Sequence, residues 1–188
     1  MVIKKCFIDL ETTGLDPNLN GILEIAIITR IPGQQDQSFQ TFIKPIKNDL
    51  IVPAALAVNK IRFEDAEKFP ESAKVHNDLT NFLGQFVNKF DPEDKFIFVA
   101  YNANFDYQFL RSFFVKCDDK YFGSLFFYPP LDIMQIAFKH LLNVRHKMPN
   151  FKQVTVAPEL GIEIDLKKAH GAMYDVEIVR KIHDTLCV

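Results

Sequence analysis

Phe7-Ile8-Asp9-Leu10-Glu11-Thr12-Thr13-Gly14-Leu15 sets two carboxylates two positions apart at the end of an apolar run, with a turn directly behind them. In an extended strand alternate side chains share a face, so Asp9 and Glu11 point one way while Ile8 and Leu10 point the other. Two carboxylates ~4 Å apart at an effective dielectric of ~20 repel by about 4 kcal/mol. A fold keeps such a pair only when a cation, hydrogen-bond donors or a shared proton offset that repulsion. The pair asks for a divalent metal ion.

Two further segments carry groups that could join it. In Ala100-Tyr101-Asn102-Ala103-Asn104-Phe105-Asp106 a strand runs into the start of a helix, and an acid in a first helical turn is favoured by the dipole alone. In His170-Gly171-Ala172-Met173-Tyr174-Asp175 the outer two residues cannot share a helix face, since five residues turn ~500°. They reach one cleft only if His170 lies in the loop before a helix and Asp175 in its first turns. Gly171 is the residue that would permit the bend. Taken singly, Asp106 and Asp175 read as helix-start acids and His170 as an ordinary surface or core residue.

Positioning these groups falls to a readable set of elements. Strands are expected over Val2–Leu10, Ile22–Ile31 and Ser38–Ile43, the last returning antiparallel after the Pro32-Gly33 turn. A short helical segment fits Ala54–Val58. Apolar residues three and four apart predict a helix over Ser72–Phe90, ended by Asp91-Pro92. Strand Phe96–Tyr101, helix Asn104–Val115 and a short strand Leu125–Tyr128 follow. Asp132 is placed to cap a helix over Ile133–Leu142. Phe151–Leu160 is ambiguous between strand and helix, and a last helix covers Ala172–Thr185. Strands first and then alternating helices and strands predict a single α/β domain, residues 1–188, with a mixed sheet and helices on both faces.

Composition narrows the class. The 188 residues are 48% apolar and 24% charged, an ordinary globular balance with 19 Phe and no Trp. The formal charge of -2 argues against a broad nucleic-acid-coating surface but permits local binding at a metal site. Cys6, Cys117 and Cys187 are few and far apart, which predicts reduced thiols and a cytoplasmic setting. No apolar run is long enough to span a bilayer, and the N-terminus lacks a signal-peptide pattern.

Together, Asp-x-Glu at a strand end, Asn-x-x-x-Asp at a strand-to-helix join and His-x4-Asp near the C-terminus resemble the three motifs of the DEDDh 3'→5' exonucleases, in order and at the spacing of one domain. The likeness runs from Asp9 to Asp175. Asp9-Leu10-Glu11-Thr12-Thr13-Gly14-Leu15, Leu23-Glu24-Ile25-Ala26, Asn102-Ala103-Asn104-Phe105-Asp106 and Ala169-His170 are similar to the epsilon proofreading subunits of bacterial replicative polymerases. The resemblance implies a ribonuclease H-like mixed five-stranded sheet. It implies that Asp9, Glu11, Asp106 and Asp175 hold two Mg²⁺ or Mn²⁺ ions, which oxygen-only ligands suit. His170 would be the general base. Amides of Thr12, Thr13 and Gly14 and the Leu15 side chain would meet the terminal nucleotide of a single-stranded 3' end, and Asn102 would contact a phosphate or support the metal site. A polymerase or another replication or repair protein would be its partner, with no role for a membrane.

The pattern also departs from the family. Asn59-Lys60 stand where epsilon-like proteins carry His-Gly, and Tyr101 stands where His is common. A related subgroup has Tyr four before the last Asp; here that position is Gly171, which favours the His subgroup. Two alternatives share these residues or this fold: an RNA trimmer resembling ribonuclease T or oligoribonuclease, and a catalytically silent binding module. The silent module predicts a missing motif residue, and all five are present.

Overall fold

The computed structural model describes residues 2–187. Its centre is β1 (Lys4–Thr12), flanked on one side by the antiparallel β2 (Ile22–Arg30) and β3 (Gln37–Phe42). On the other side lie β4 (Phe96–Ala100) and the two-residue β5 (Leu131–Asp132), both parallel. The order β3-β2-β1-β4-β5 makes the expected mixed five-stranded sheet. Among the described residues there are seven α-helices, in chain order α1 (Pro53–Asn59), α2 (Phe63–Ala66), α3 (Ser72–Gly84), α4 (Ala103–Lys116), α5 (Ile133–His140), α6 (Gln153–Glu159) and α7 (Ala172–Leu186).

Alternation along β1 divides the interior in two. Cys6, Ile8 and Leu10 enter a core with Val75, Leu79 and Leu83 of α3 and with Phe109, Leu110 and Phe113 of α4. Phe7 enters a second core on the opposite face, with Ile133 and Ala137 of α5 and Val176, Val179 and Ile182 of α7. Each large apolar side chain so buried contributes roughly 1.5–3 kcal/mol. Leu79, fully buried, would leave a cavity on Leu79→Ala worth ~2–5 kcal/mol. Asp9 and Glu11 belong to the Phe7 face, so β1 aims them toward α7.

Two expectations are corrected and one ambiguity is resolved. The Ser72–Phe90 helix stops at Gly84, because the next stretch folds into tight turns. The amide of Asn88 donates to Asp94 Oδ2 (2.8 Å) and that of Phe90 to Asn88 Oδ1 (3.2 Å), side-chain acceptors that compete with helix propagation. Leu125–Tyr128 is not a strand. Phe126 makes one isolated bridge to Phe96, and Pro129-Pro130, which lack amide donors, interrupt the pairing until β5 resumes at Leu131. The ambiguous segment is helical, as α6. Asp132 is the N-cap as expected, its Oδ1 accepting from the Met134 amide at 2.9 Å.

Candidate active site

Asp9 and Glu11 end β1, and a bulge between Glu11 and Thr12 breaks the register where the chain leaves the sheet. Asp106 arrives from α4, which packs on the other face of the sheet. Its first turn brings the carboxylate past the strand end, where Oδ1 accepts the Leu10 amide at 3.1 Å. Asp106 is buried. Asn102 makes the α4 entry possible by taking a left-handed backbone conformation (φ 62°), which Asn tolerates better than most residues. Its amide donates to Asp132 Oδ1 at 3.0 Å, so one carboxylate oxygen fixes the starts of α4 and α5 together.

His170 and Asp175 meet as a loop-plus-helix pair. The bend is at His170 itself (φ 65°), while Gly171 is extended (φ -124°) as the N-cap of α7. The His170 amide donates to Asp175 Oδ2 at 3.1 Å. Ligand-type atoms of Glu11, His170 and Asp175 lie within 4.8 Å of one another. Asp9 lies within electrostatic reach of Asp106, Asp175, Glu11 and Glu24, and burial followed by those charges pushes its carboxyl well above the ordinary range. Glu11 is pushed up to about 8 by burial, then by Asp175 and Glu24. Burial raises Asp106 against the lowering effect of the Leu10 amide. Burial also raises Asp175, partly offset by the His170 amide and ring.

The donor set fits a hard divalent cation. Among the described residues, neither the Asp9 nor the Glu11 carboxylate has a hydrogen-bond donor. Clustered carboxylates without donors are the arrangement that bound cations stabilise, and oxygen-rich sites take Mg²⁺ or Mn²⁺. Sequence reasoning passed over Glu24 as a site residue. It faces Glu11 directly in the β1–β2 register, is buried, and accepts from Gln40 Nε2 at 2.7 Å. A single acid inside the otherwise apolar stretch Ile22–Ile28 was the available signal.

The rim is built by the turn after β1. Thr12 Oγ1 donates to the Gly14 carbonyl at 2.7 Å. Thr13 is fully buried, its Oγ1 donating to the Leu50 carbonyl (2.7 Å) and accepting from the Gly21 amide (2.8 Å). The Thr13 amide, expected to meet a nucleotide, donates instead to the Gly21 carbonyl at 2.9 Å. Leu15 is 85% exposed. Asn59 donates from Nδ2 to the Thr12 carbonyl at 3.0 Å and holds α1 against the end of β1.

A mixed sheet whose central strand ends in a carboxylate pair, met by an acid from the next helix and a His–Asp loop and helix, brings together a carboxylate cluster of the kind that can hold divalent cations. The exonuclease family model matches residues 6–183, and the chain belongs to that family. The resemblance seen in the motifs is thus borne out at the family level. The chain is 30% identical over 175 residues to the PolC-type DNA polymerase III of Thermotoga petrophila, covering 93% of this chain but 11% of that protein. Ribonuclease T of Buchnera aphidicola is 28% identical over 175 residues, covering 89% of this chain and 75% of the relative. Exonuclease I of E. coli in complex with a dT13 oligonucleotide shares the fold, with a TM-score of 0.73 at 20% identity, covering 98% of this chain and 41% of the neighbour. The family needs divalent metal ions. No helix among the described residues is long and apolar enough to cross a membrane.

Proposed function

We propose that this domain is a metal-dependent 3'→5' exonuclease that removes nucleoside 5'-monophosphates from single-stranded DNA. The observation that carries this reading is the convergence of Asp9, Glu11, Asp106 and Asp175, from two strand-end and two helix-start positions, beside His170. In this reading the four carboxylates hold two Mg²⁺ or Mn²⁺ ions. Two such ions supply electrostatic stabilisation of the attacking and leaving oxygens in a phosphodiester displacement. His170 accepts a proton from the water that attacks the terminal phosphorus. The P–O3' bond breaks, the shortened chain keeps the 3' oxygen, and the released nucleotide keeps the phosphate.

Leu15, exposed on the rim beside the site, is assigned to the terminal base, and stacking or packing on a base is tolerant of its identity. Gly14 and Thr12 shape the turn that presents it, and Asn102 sets the direction from which α4 brings Asp106. A polymerase or another replication or repair protein is the assigned partner, and the cytoplasm the assigned compartment. The domain boundary is assigned to residues 1–188.

A second reading, trimming of RNA 3' ends, is favoured by the ribonuclease T relative, three quarters of whose length the chain covers. Both readings use the same site residues. The test is a gel assay with end-labelled single-stranded DNA, double-stranded DNA and short RNA, each with Mg²⁺, Mn²⁺ or EDTA. Stepwise shortening of single-stranded DNA with Mg²⁺ or Mn²⁺ and its loss in EDTA is the expected result. Shortening of RNA alone selects the second reading, and no shortening of any substrate overturns both.

A further inference from the structure

Lys60 has no part in the reaction above, yet its placement is unusual on two counts. It closes α1 in the left-handed conformation (φ 57°), with its amide donated to the Leu56 carbonyl, a position where glycine is the unstrained choice. Its side chain then leaves the helix and donates from Nζ to the carbonyl of Ala169 at 3.3 Å. The residue after Ala169 is His170, itself left-handed. The Lys60 charge is also among those that draw the Asp175 carboxyl downward against the effect of burial.

The buried Ala169 packs the loop inward, and the loop's other hydrogen bonds come from elsewhere. Among the described residues, the other hydrogen bonds of segment 165–171 stay within it or run to α7: Lys168 to Asp165, Asp165 to Tyr174 and His170 to Asp175 are the examples. Lys60 therefore supplies its link to α1. The neighbouring Asn59 grips the Thr12 carbonyl, so consecutive residues at one helix end hold two walls of the same cleft.

We propose that Lys60 is a positioning residue whose ammonium straps the His170 loop to α1, fixing the imidazole beside Glu11 and Asp175. The consequence for rate rests on the exonuclease reading; the strap itself does not. A lysine at a position suited to glycine fits this assignment, because the side chain does what glycine could not.

Lys60→Gly separates the strap from simple stability. It removes the ammonium and gives the left-handed position to the residue that adopts it most readily, so the melting temperature of the full chain should not fall. In the metal-free protein, amide exchange of residues 168–171 should quicken by about tenfold or more, because the loop opens locally. In the metal-loaded protein kcat should fall about tenfold with KM for an oligonucleotide nearly unchanged, and Lys60→Arg should recover most of both effects. Wild-type exchange in Lys60→Gly overturns the strap. Wild-type kcat, or a raised KM with kcat kept, overturns the positioning role, the latter by marking Lys60 as a substrate contact. A wild-type protein that hydrolyses nothing defeats the exonuclease reading instead, and the exchange comparison still decides the strap.

Discussion

Glu11 on β1 stands directly across from Glu24 on β2, and antiparallel partners share a sheet face, so two buried carboxylates confront each other at the edge of the site. Gln40 donates to one oxygen of Glu24, which keeps that side chain in place without neutralising it. Like charges directly opposite destabilise a strand pair. Above pH 8, where Glu11 is ionised, Glu24→Gln should stabilise the metal-free protein by about 0.5–1 kcal/mol. It should also weaken divalent-ion binding by about tenfold, as loss of an outer-shell partner does. Thermal melting in EDTA and calorimetric Mn²⁺ titration check the two signs, and a variant that binds Mn²⁺ as tightly as wild type contradicts the role given to Glu24.

The raised carboxyls make stability depend on pH in a definite direction. A carboxyl raised in the folded state binds more protons there than in the unfolded chain, so metal-free stability falls as pH rises from the unfolded value, about 4, toward the folded one. For Glu11 that window reaches about 8. A divalent cation relieves the same repulsion and competes with protons for the same oxygens. The rise in melting temperature on adding Mg²⁺ or Mn²⁺ should therefore be larger at pH 8 than at pH 5. Equal shifts at both pH values would remove the carboxylate cluster as the binding site.

Gly14 is held to its identity by space. A Cβ there would lie 2.5 Å from side-chain atoms of Asn20. Asn20 is buried and fixed between the Asp16 amide and the Leu50 carbonyl, so it cannot swing aside cheaply. Gly14→Ala should cost about 1–3 kcal/mol, measured by urea unfolding. Because Leu15 rides on this turn, KM for an oligonucleotide should rise as well.

At Asn102 the constraint is conformational. Asn102→Ala forces a residue with a Cβ and no local hydrogen-bonding group into the left-handed region and should cost about 1 kcal/mol. Asn102→Gly should be near neutral in the same unfolding experiment. If both variants lose equal stability, the Asn side chain contributes a contact and its backbone preference is not the reason for its presence.

The sequence made the sheet and the opening carboxylate pair legible because strand alternation is a strict rule: Ile8 and Leu10 had to enter one core and Asp9 and Glu11 to share the other face. Asp106 and Asp175 were legible only as members of a pattern, since each alone is an unremarkable helix-start acid. The bend before α7 was assigned to Gly171 on intrinsic freedom, but His170 takes it, held by the Asp175 carboxylate on its amide and by the anchored Ala169 carbonyl. Strand β5 was misplaced because Leu125–Tyr128 has the apolar character of a strand, whereas the pairing that survives the two prolines is only two residues long. Hydrogen bonds between distant segments, such as Lys60 to Ala169 and Thr13 to Gly21, depend on tertiary approach that no local pattern encodes.

In the proposed function, hydrolysis proceeds from the 3' end through the Asp9-centred cluster. Single-stranded dT13 labelled at its 5' end, incubated with Mn²⁺ and either wild-type protein or Asp9→Asn, tests it in one gel. Wild type should give a descending one-nucleotide ladder with mononucleotide product, EDTA should abolish it, and Asp9→Asn should be at least about 10³-fold slower. The same variant should melt no lower than wild type in EDTA, since it removes repulsion from the site. Release of the 5' label as a mononucleotide at the outset, internal cuts, or an Asp9→Asn ladder at the wild-type rate would contradict the account.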